Sequence, residues 1–362
     1  MKIDFANLQY QYQLYKAEID ESIHAVLNKS NYIMGEEIAQ LEKSLEEFTK
    51  AKYAITCSSG TDALLLAMMA CGIKPGDEII TTPFTFIATS EVIALLGAVP
   101  VFVDIDEKSY NIDTSKIEEK ITSKTKAIIP VSLYGQPSDI DSIQTIATTY
   151  NLKVIIDGAQ SFGSTFNGKT DSSLGDISTT SFFPAKPLGC FGDGGAVFTN
   201  NEELSIKIKQ LRVHGQNQRY HHKYIGIGGR LDTLQAAILK VKLKYYEKDL
   251  SLRQEVASKY TQMLEGKDLI LPFVAKHVTS SWAQFSIRVK KRDFLEKRLK
   301  EEGIPTAIHY PLPLHLQECF KYLGYKRGMF PISEMISNEI ISLPMNPYLT
   351  AEEIKFITKE IV

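Results

Sequence analysis

The chain has 362 residues, of which 44% are hydrophobic and 23% charged, with a formal net charge of -2. That length supports a large domain and a second, smaller one, while the charge balance gives no attraction for a polyanion such as nucleic acid. No apolar run approaches the ~20 residues that span a membrane, so no membrane association is expected. The opening stretch MKIDFANLQYQYQ lacks the apolar core of a signal peptide, and a cytoplasmic location is expected. The four cysteines, Cys57, Cys71, Cys190 and Cys319, are scattered and predict free thiols rather than a disulfide framework or a metal site.

Helical patterns run from about Glu18 to Leu27 and from Gly35 to Phe48, with a loop around Asn31 to Met34. An alternation then begins. Tyr53 to Cys57 reads as a strand, Ser58 to Asp62 as a turn with helix-start residues, and Ala63 to Ala70 as a helix. Glu78 to Thr82 is a β-branched strand after the breaker Pro75-Gly76-Asp77, and a helix from about Ile87 to Leu96 follows. Val99 to Ile105, Ala127 to Leu133 and Leu152 to Ile156 are further strands. Apolar strands alternating with helices predict an α/β domain with a mostly parallel sheet buried on both faces.

Beyond the glycine-rich stretch after Lys186 the pattern changes. Glu202 to Arg212 and Leu231 to Tyr246 are helical, and Glu247 to Leu264 continues the second helix or starts another. His214 to Gly229 is a polar loop too long for a simple turn. A strand at Gln284 to Val289 and a helix at Asp293 to Glu302 predict a small C-terminal α+β unit. The expected division is 1–245 for the large domain and 246–362 for the small one.

Ligands of an open parallel sheet bind beyond the carboxyl ends of its strands. Gly60 and Thr61 lie at such an end, where a helix N-terminus suits either a plain cap or a phosphate. Phe86 follows the next strand and either fills core or stacks on a flat ring. Asp157 ends a β-branched run, where a partly desolvated carboxylate requires a partner. Ser181 precedes Lys186 by five residues. A phosphate site, an aromatic plate, a carboxylate beyond a strand and a lysine on a later loop are together what pyridoxal 5'-phosphate requires. The glycines from Gly189 to Gly195 fit neither a dinucleotide fingerprint nor a P-loop.

The motifs SSGTDAL (58–64), TPFTFIAT (82–89), IIDGAQSFG (155–163), TSFFPAKPLGCFGDGGAVFTN (180–200), RLDTLQAAIL (230–239) and AIHYPLPLH (307–315) resemble the sugar-nucleotide aminotransferases of the DegT/StrS type. The resemblance covers essentially the whole chain. It implies the aspartate-aminotransferase-like fold (fold type I), with a large α/β domain, a small C-terminal domain and a homodimer with composite active sites. It further implies that Lys186 joins the cofactor covalently and carries the proton, and that Asp157 pairs with the pyridine nitrogen. Gln160 would lie near the ring hydroxyl and Phe86 would stack on the ring. Gly60, Thr61 and Ser181 would hold the phosphate. The implied reaction is ping-pong amino transfer from L-glutamate, leaving 2-oxoglutarate, to a keto-sugar on a nucleotide carrier, for surface polysaccharide or lipopolysaccharide. Relatives with histidine at the lysine position are sugar dehydratases, so Lys186 favours amino transfer; a regulatory descendant without catalysis is the reading from a different class. One departure stands out: many members have an asparagine donated across the dimer where this chain has Gly228.

Within that family, the stretch around Lys186, LRVHGQNQRYHH (211–222) and AIHYPLPLH resemble the enzymes that aminate UDP-2-acetamido-2-deoxy-3-oxo-glucuronate at C3. There an arginine and a His-Tyr pair meet the sugar carboxylate, at positions matching Arg230, His309 and Tyr310. A planar guanidinium suits a carboxylate by binding both oxygens; a salt bridge to Asp232 is the other reading of Arg230, and a packed strand end that of His309 and Tyr310. The alternatives for the sugar are a dTDP-3-keto-6-deoxyhexose and a 4-keto-sugar nucleotide.

Overall fold

The computed structural model describes residues 3–361. Their strand–helix alternation builds one seven-stranded sheet. Its strands are β1 (Tyr53–Cys57), β2 (Glu78–Thr81), β3 (Val99–Phe102), β4 (Thr125–Ile128), β5 (Lys153–Asp157), β6 (Ile177–Ser181) and β7 (Gly195–Thr199). Their order across the sheet is β1-β7-β6-β5-β4-β2-β3. Strand β7 is antiparallel to both its neighbours, and every other pairing is parallel. The helices are α1 (Leu8–Lys29), α2 (Glu36–Thr49), α3 (Gly60–Cys71), α4 (Ala88–Leu95), α5 (Ile140–Tyr150), α6 (Glu202–Leu211), α7 (Thr233–Leu264), α8 (Arg292–Glu301), α9 (Pro331–Glu339) and α10 (Ala351–Ile361).

Because the strands are apolar on both sides, helices must cover both faces. One face packs α3, α4 and α6 through Leu66, Ala67, Val92, Ile93 and Ile208. The other packs α5 through Ile143 and Ile146, and α2 with the first half of α7 through Leu41, Leu45, Leu239 and Tyr246. Each fully buried side chain of this size contributes roughly 1.5–3 kcal/mol. A further core joins Val256, Tyr260 and Leu264 of α7 to Phe285, Ile287, Leu299, Ile341 and Ile357. It surrounds the antiparallel pair β8 (Phe285–Arg288) and β9 (Ile340–Leu343). Residue 245 therefore falls inside a continuous helix that serves two cores, one with each half.

Two element boundaries differ from the sequence expectation for identifiable reasons. The strand expected over Ala127 to Leu133 stops at Ile128, because Pro130 has no N–H for the ladder; its carbonyl still accepts Asp157 N at 2.9 Å. Helix α1 begins at Leu8, about ten residues before the predicted Glu18. The alternating tyrosines at its start look strand-like, yet Tyr12, Tyr15, Ile19 and Ile23 form one stripe that packs on Ile238 and Val241 of α7.

Candidate active site

The carboxyl ends of β1, β2, β5 and β6 open onto a cavity of about 530 Å³. That volume suits a cofactor or other small ligand. Gly60, Thr61, Phe86, Asp157, Gln160, Ser181, Lys186, His309 and Tyr310 all line it. Parallel strands deliver the loops after Cys57, Thr81, Asp157 and Ser181 to one edge, and the segment that pairs Ala307 with Ser342 brings His309 and Tyr310 to the same cavity.

Asp157 ends β5 and is 5% exposed. Its Oδ2 accepts the Thr89 hydroxyl at 2.7 Å and its Oδ1 accepts Ala159 N at 3.2 Å. Burial pushes its carboxyl above the ordinary range, opposed by the Thr89 hydroxyl, the Ala159 amide and the Lys186 charge. Burial in turn pushes the Lys186 amine below its ordinary value, with Asp157 acting the other way. The residue as a whole is half-buried and lines the cavity. A tight loop holds it. Lys186 N donates to Phe183 O at 2.9 Å, and Cys190 N to Phe182 O at 2.8 Å. A β-carbon on Gly189 would sit 2.4 Å from Pro184 O, so only glycine fits the turn. Lys242 of α7 donates to Gly189 O from behind, and burial pushes its amine down to about 8.

The N-terminus of α3 lines the same cavity. Ser59 caps it, its Oγ accepting Asp62 N at 3.0 Å. A β-carbon on Gly60 would lie 2.6 Å from Ser181 Cβ, so the helix start and the end of β6 touch only because residue 60 is glycine. Backbone N–H groups and the Thr61 and Ser181 hydroxyls there form a set of donors for an anion. Phe86 on the cavity wall leaves 54% of its surface exposed, an aromatic face available to a flat ring. An anion cradle, an exposed ring and a desolvated lysine–carboxylate pair fit the phosphate, ring and aldehyde of pyridoxal phosphate.

Gln160 is held rather than free. Its Oε1 accepts Tyr134 N at 2.7 Å and its Nε2 donates to the Tyr310 hydroxyl at 3.1 Å. His309 Nδ1 lies 2.9 Å from Ser342 Oγ, and burial together with the Lys186 charge pushes its imidazole down to about 4. The unfolded chain takes up this proton near the ordinary ~6.5, the folded chain only near 4. The unfolded state therefore binds more protons between those values, and stability is lost as pH falls through this window. His309→Asn is expected to retain on the order of 2 kcal/mol more of its neutral-pH stability at pH 4 than the parent does, allowing for partial exposure. Urea unfolding at pH 7 and pH 4 measures this; equal losses in both proteins would contradict it.

Arg230 is placed differently. It is half-exposed and does not line the cavity of its own chain. Its neighbour Gly229 accepts Ser58 N at 3.1 Å, beside the anion cradle. At Gly228 a β-carbon would lie 3.0 Å from the His214 ring, so the imidazole occupies the side-chain space there. The long loop around it forms a short hairpin, Gln216–Gln218 with His221–His222, whose tip residue Tyr220 is exposed. Sequence reasoning did not single out Thr89, Tyr134, Asp193 or Gln284. Thr89 sits one turn after Thr85 at the start of α4, with their hydroxyls 3.3 Å apart, and that spacing within TPFTFIAT was its one local signal.

The model of the DegT/DnrJ/EryC1/StrS aminotransferase family matches residues 13–362. The chain is 47% identical over 355 residues to the UDP-2-acetamido-2-deoxy-3-oxo-D-glucuronate aminotransferase of Pseudomonas aeruginosa, covering 98% of each protein. Among solved structures, S. venezuelae DesV in complex with ketimine intermediate superposes with a TM-score of 0.98 at 34% identity, covering 99% of this chain and 97% of that one. NtdA from Bacillus subtilis with bound cofactor PMP superposes at 0.92 and 33% identity, covering 99% of this chain and 84% of that one.

Proposed function

The chain belongs to the DegT/DnrJ/EryC1/StrS aminotransferase family, with the fold of type I and pyridoxal phosphate as cofactor, and from that premise we propose that it moves the amino group of L-glutamate to the C3 keto carbon of a nucleotide-linked sugar, UDP-2-acetamido-2-deoxy-3-oxo-glucuronate. The observation that carries the chemistry is the desolvated Lys186 in one cavity with the buried carboxylate of Asp157. The sugar rests on the similarity to the Pseudomonas enzyme over nearly the whole chain.

In this reading Gly60, Thr61 and Ser181 would hold the cofactor phosphate, Phe86 would face its ring, Asp157 would meet its pyridine nitrogen and Lys186 would be joined to it covalently. When bound, pyridoxal phosphate supplies an electron sink for charge developing on the substrate carbon. Gln160 would lie near the ring hydroxyl, held there by the Tyr134 amide and the Tyr310 hydroxyl. Once released from the cofactor, the Lys186 amine would take the α-proton of glutamate and pass it to the cofactor side of the reacting bond; burial lowers its affinity for protons, which favours the neutral form that can act as a base. One water would supply the keto oxygen as glutamate leaves as 2-oxoglutarate, and the second half-transfer would give the 3-amino sugar, the sugar's keto oxygen departing as water. The product suits surface polysaccharide synthesis.

Arg230 reads the sugar carboxylate from the second chain of a homodimer. This assignment is supported by its place outside its own cavity and by the exposed apolar side chains nearby. Ile33 and Met34 are exposed, and Ile33 pairs with Asp232, two residues from Arg230. Phe183 and Phe191 on the lysine loop are also exposed. Assaying the uronate, a dTDP-3-keto-6-deoxyhexose and a 4-keto-sugar nucleotide, each with glutamate, tests the reading; preference for either of the last two sinks the uronate assignment. Arg230→Ala is expected to lower kcat/KM for the uronate by about 30-fold or more, the cost of truncating a charge-assisted bidentate contact, and to leave the glutamate half-reaction within about threefold. Equal damage to both half-reactions would argue against a carboxylate contact.

A further inference from the structure

The loop that carries Lys186 is gripped from behind by one helix. Leu188 and Cys190 of the loop share an apolar core with Leu239 and Leu243 of α7. Two polar side chains of the same helix hold the loop's backbone. Gln235 Oε1 accepts Phe191 N at 2.8 Å, and the Lys242 amine donates to Gly189 O. Gln235 and Lys242 stand about two turns apart on α7, so both reach out from one face. The Lys242 amine also lies 5.4 Å from the centre of the Phe191 ring. A β-carbon on Gly192 would sit 3.1 Å from Gln235 Nε2, so the helix approaches the loop closely. Lys242 is 3% exposed, and among the described residues it joins no ion pair. A buried ammonium without a carboxylate costs stability, so packing alone gives no reason for a lysine here.

We infer that Gln235 and Lys242 are positioning residues for the reaction: together they clamp the Gly189–Phe191 turn to α7 and so set where the Lys186 amine stands in the cavity. The path from clamp to amine is short. Lys186 N donates to Phe183 O and Cys190 N to Phe182 O, so the turn closes back on the end of β6 on both sides of Gly189. A carbonyl held at Gly189 and an amide held at Phe191 oppose any pivot of that turn about Cys190. The second half of α7 is fixed in the other core by Val256, Tyr260 and Leu264, so the clamp stands on a helix anchored in both. Neither Gln235 nor Lys242 is among the residues that line the cavity; they act through the loop. The role in the reaction rests on the function proposed above; the grip on the loop does not.

Lys242→Met keeps an apolar stem of similar length and removes the charged donor. It frees the fold of a buried ammonium but leaves Gly189 O without a partner, two effects that oppose each other. The midpoint of urea unfolding is therefore expected to stay close to the parent's. Hydrogen exchange of the holoenzyme, read by mass spectrometry, is expected to rise about tenfold or more in peptides spanning Phe183 to Phe191 and to keep the parent's rate in α3 and β5. Unchanged exchange in the loop overturns the clamp. A rise spread over α3, β5 and α7 with a lower unfolding midpoint also overturns it, because Lys242 then supports the core as a whole. Gln235→Leu removes the acceptor for Phe191 N and is expected to loosen the same peptides, whereas Gln235→Glu keeps an acceptor and is expected to retain their protection. Equal exchange in those two variants counts against the hydrogen bond. For the reaction, Lys242→Met is expected to slow the single turnover with glutamate by roughly 10- to 100-fold, the cost of a misplaced reacting group, with half-saturation within about threefold of the parent. Weaker half-saturation at an intact rate contradicts positioning. If the parent takes no amino group from glutamate, the proposed function fails, while loop exchange still decides the clamp.

Discussion

Lys186→Ala is expected to lower kcat by at least ~10³-fold on glutamate and sugar alike, because in the proposed mechanism one side chain is both covalent anchor and proton carrier. Burial favours the neutral amine over the ammonium, and Asp157 moderates the effect. The Phe183 carbonyl and the Gly189 turn fix where the chain leaves the backbone. Lys186→Arg separates charge from proton transfer, since a guanidinium keeps the charge but does not release its proton at neutral pH. It is expected to be as inactive as alanine. Single-turnover mixing with glutamate, followed by cofactor absorbance, reads the loss. Mass spectrometry after borohydride reduction reads the anchor: the parent keeps the cofactor mass and neither variant does. Turnover within about tenfold of the parent in Lys186→Ala would remove Lys186 from the proposed mechanism.

The strand-to-helix turns were legible because local chemistry marks them. Three β-branched residues before Asp157, and Ser59 with Gly60 before an alanine- and leucine-rich helix, are short-range signals. The groups that hold those residues in position carry no such mark. Thr89 meets Asp157 across 68 residues, Tyr134 meets His309 across 175, and Ser286 meets Ser342 across 56. Each pairing exists only once the sheet and the second core bring separate loops to one edge, and no periodicity in the chain encodes it. Helix α1 fails to look helical for a related reason: its tyrosine stripe has meaning only against α7. Arg230 shows the opposite case. Its motif was plain, yet a single chain leaves it outside the cavity.

Asp157→Asn is expected to lower kcat by roughly 10²- to 10³-fold, because an amide would not hold a positive charge on the ring nitrogen that the proposed mechanism places against this position. The surroundings explain why the loss should be large and why it should be tunable. Burial works against the carboxylate form of Asp157, while the Thr89 hydroxyl, the Ala159 amide and the Lys186 charge work for it. Thr89→Val removes the hydroxyl with little change of shape, so the folded Asp157 should protonate at a higher pH than in the parent. The proton is gained as pH falls, and the acid limb of the kcat/KM profile is therefore expected to move to higher pH in Thr89→Val, with a loss of about tenfold at neutral pH. In Asp157→Asn there is no carboxyl left at this position to titrate, so the part of the acid limb that shifts in Thr89→Val should be absent. A Thr89→Val enzyme with the parent's acid limb would mean that Ala159 and Lys186 suffice to hold the charge. Such a result would leave the Thr89 contact as packing between α4 and β5 rather than part of the catalytic electrostatics.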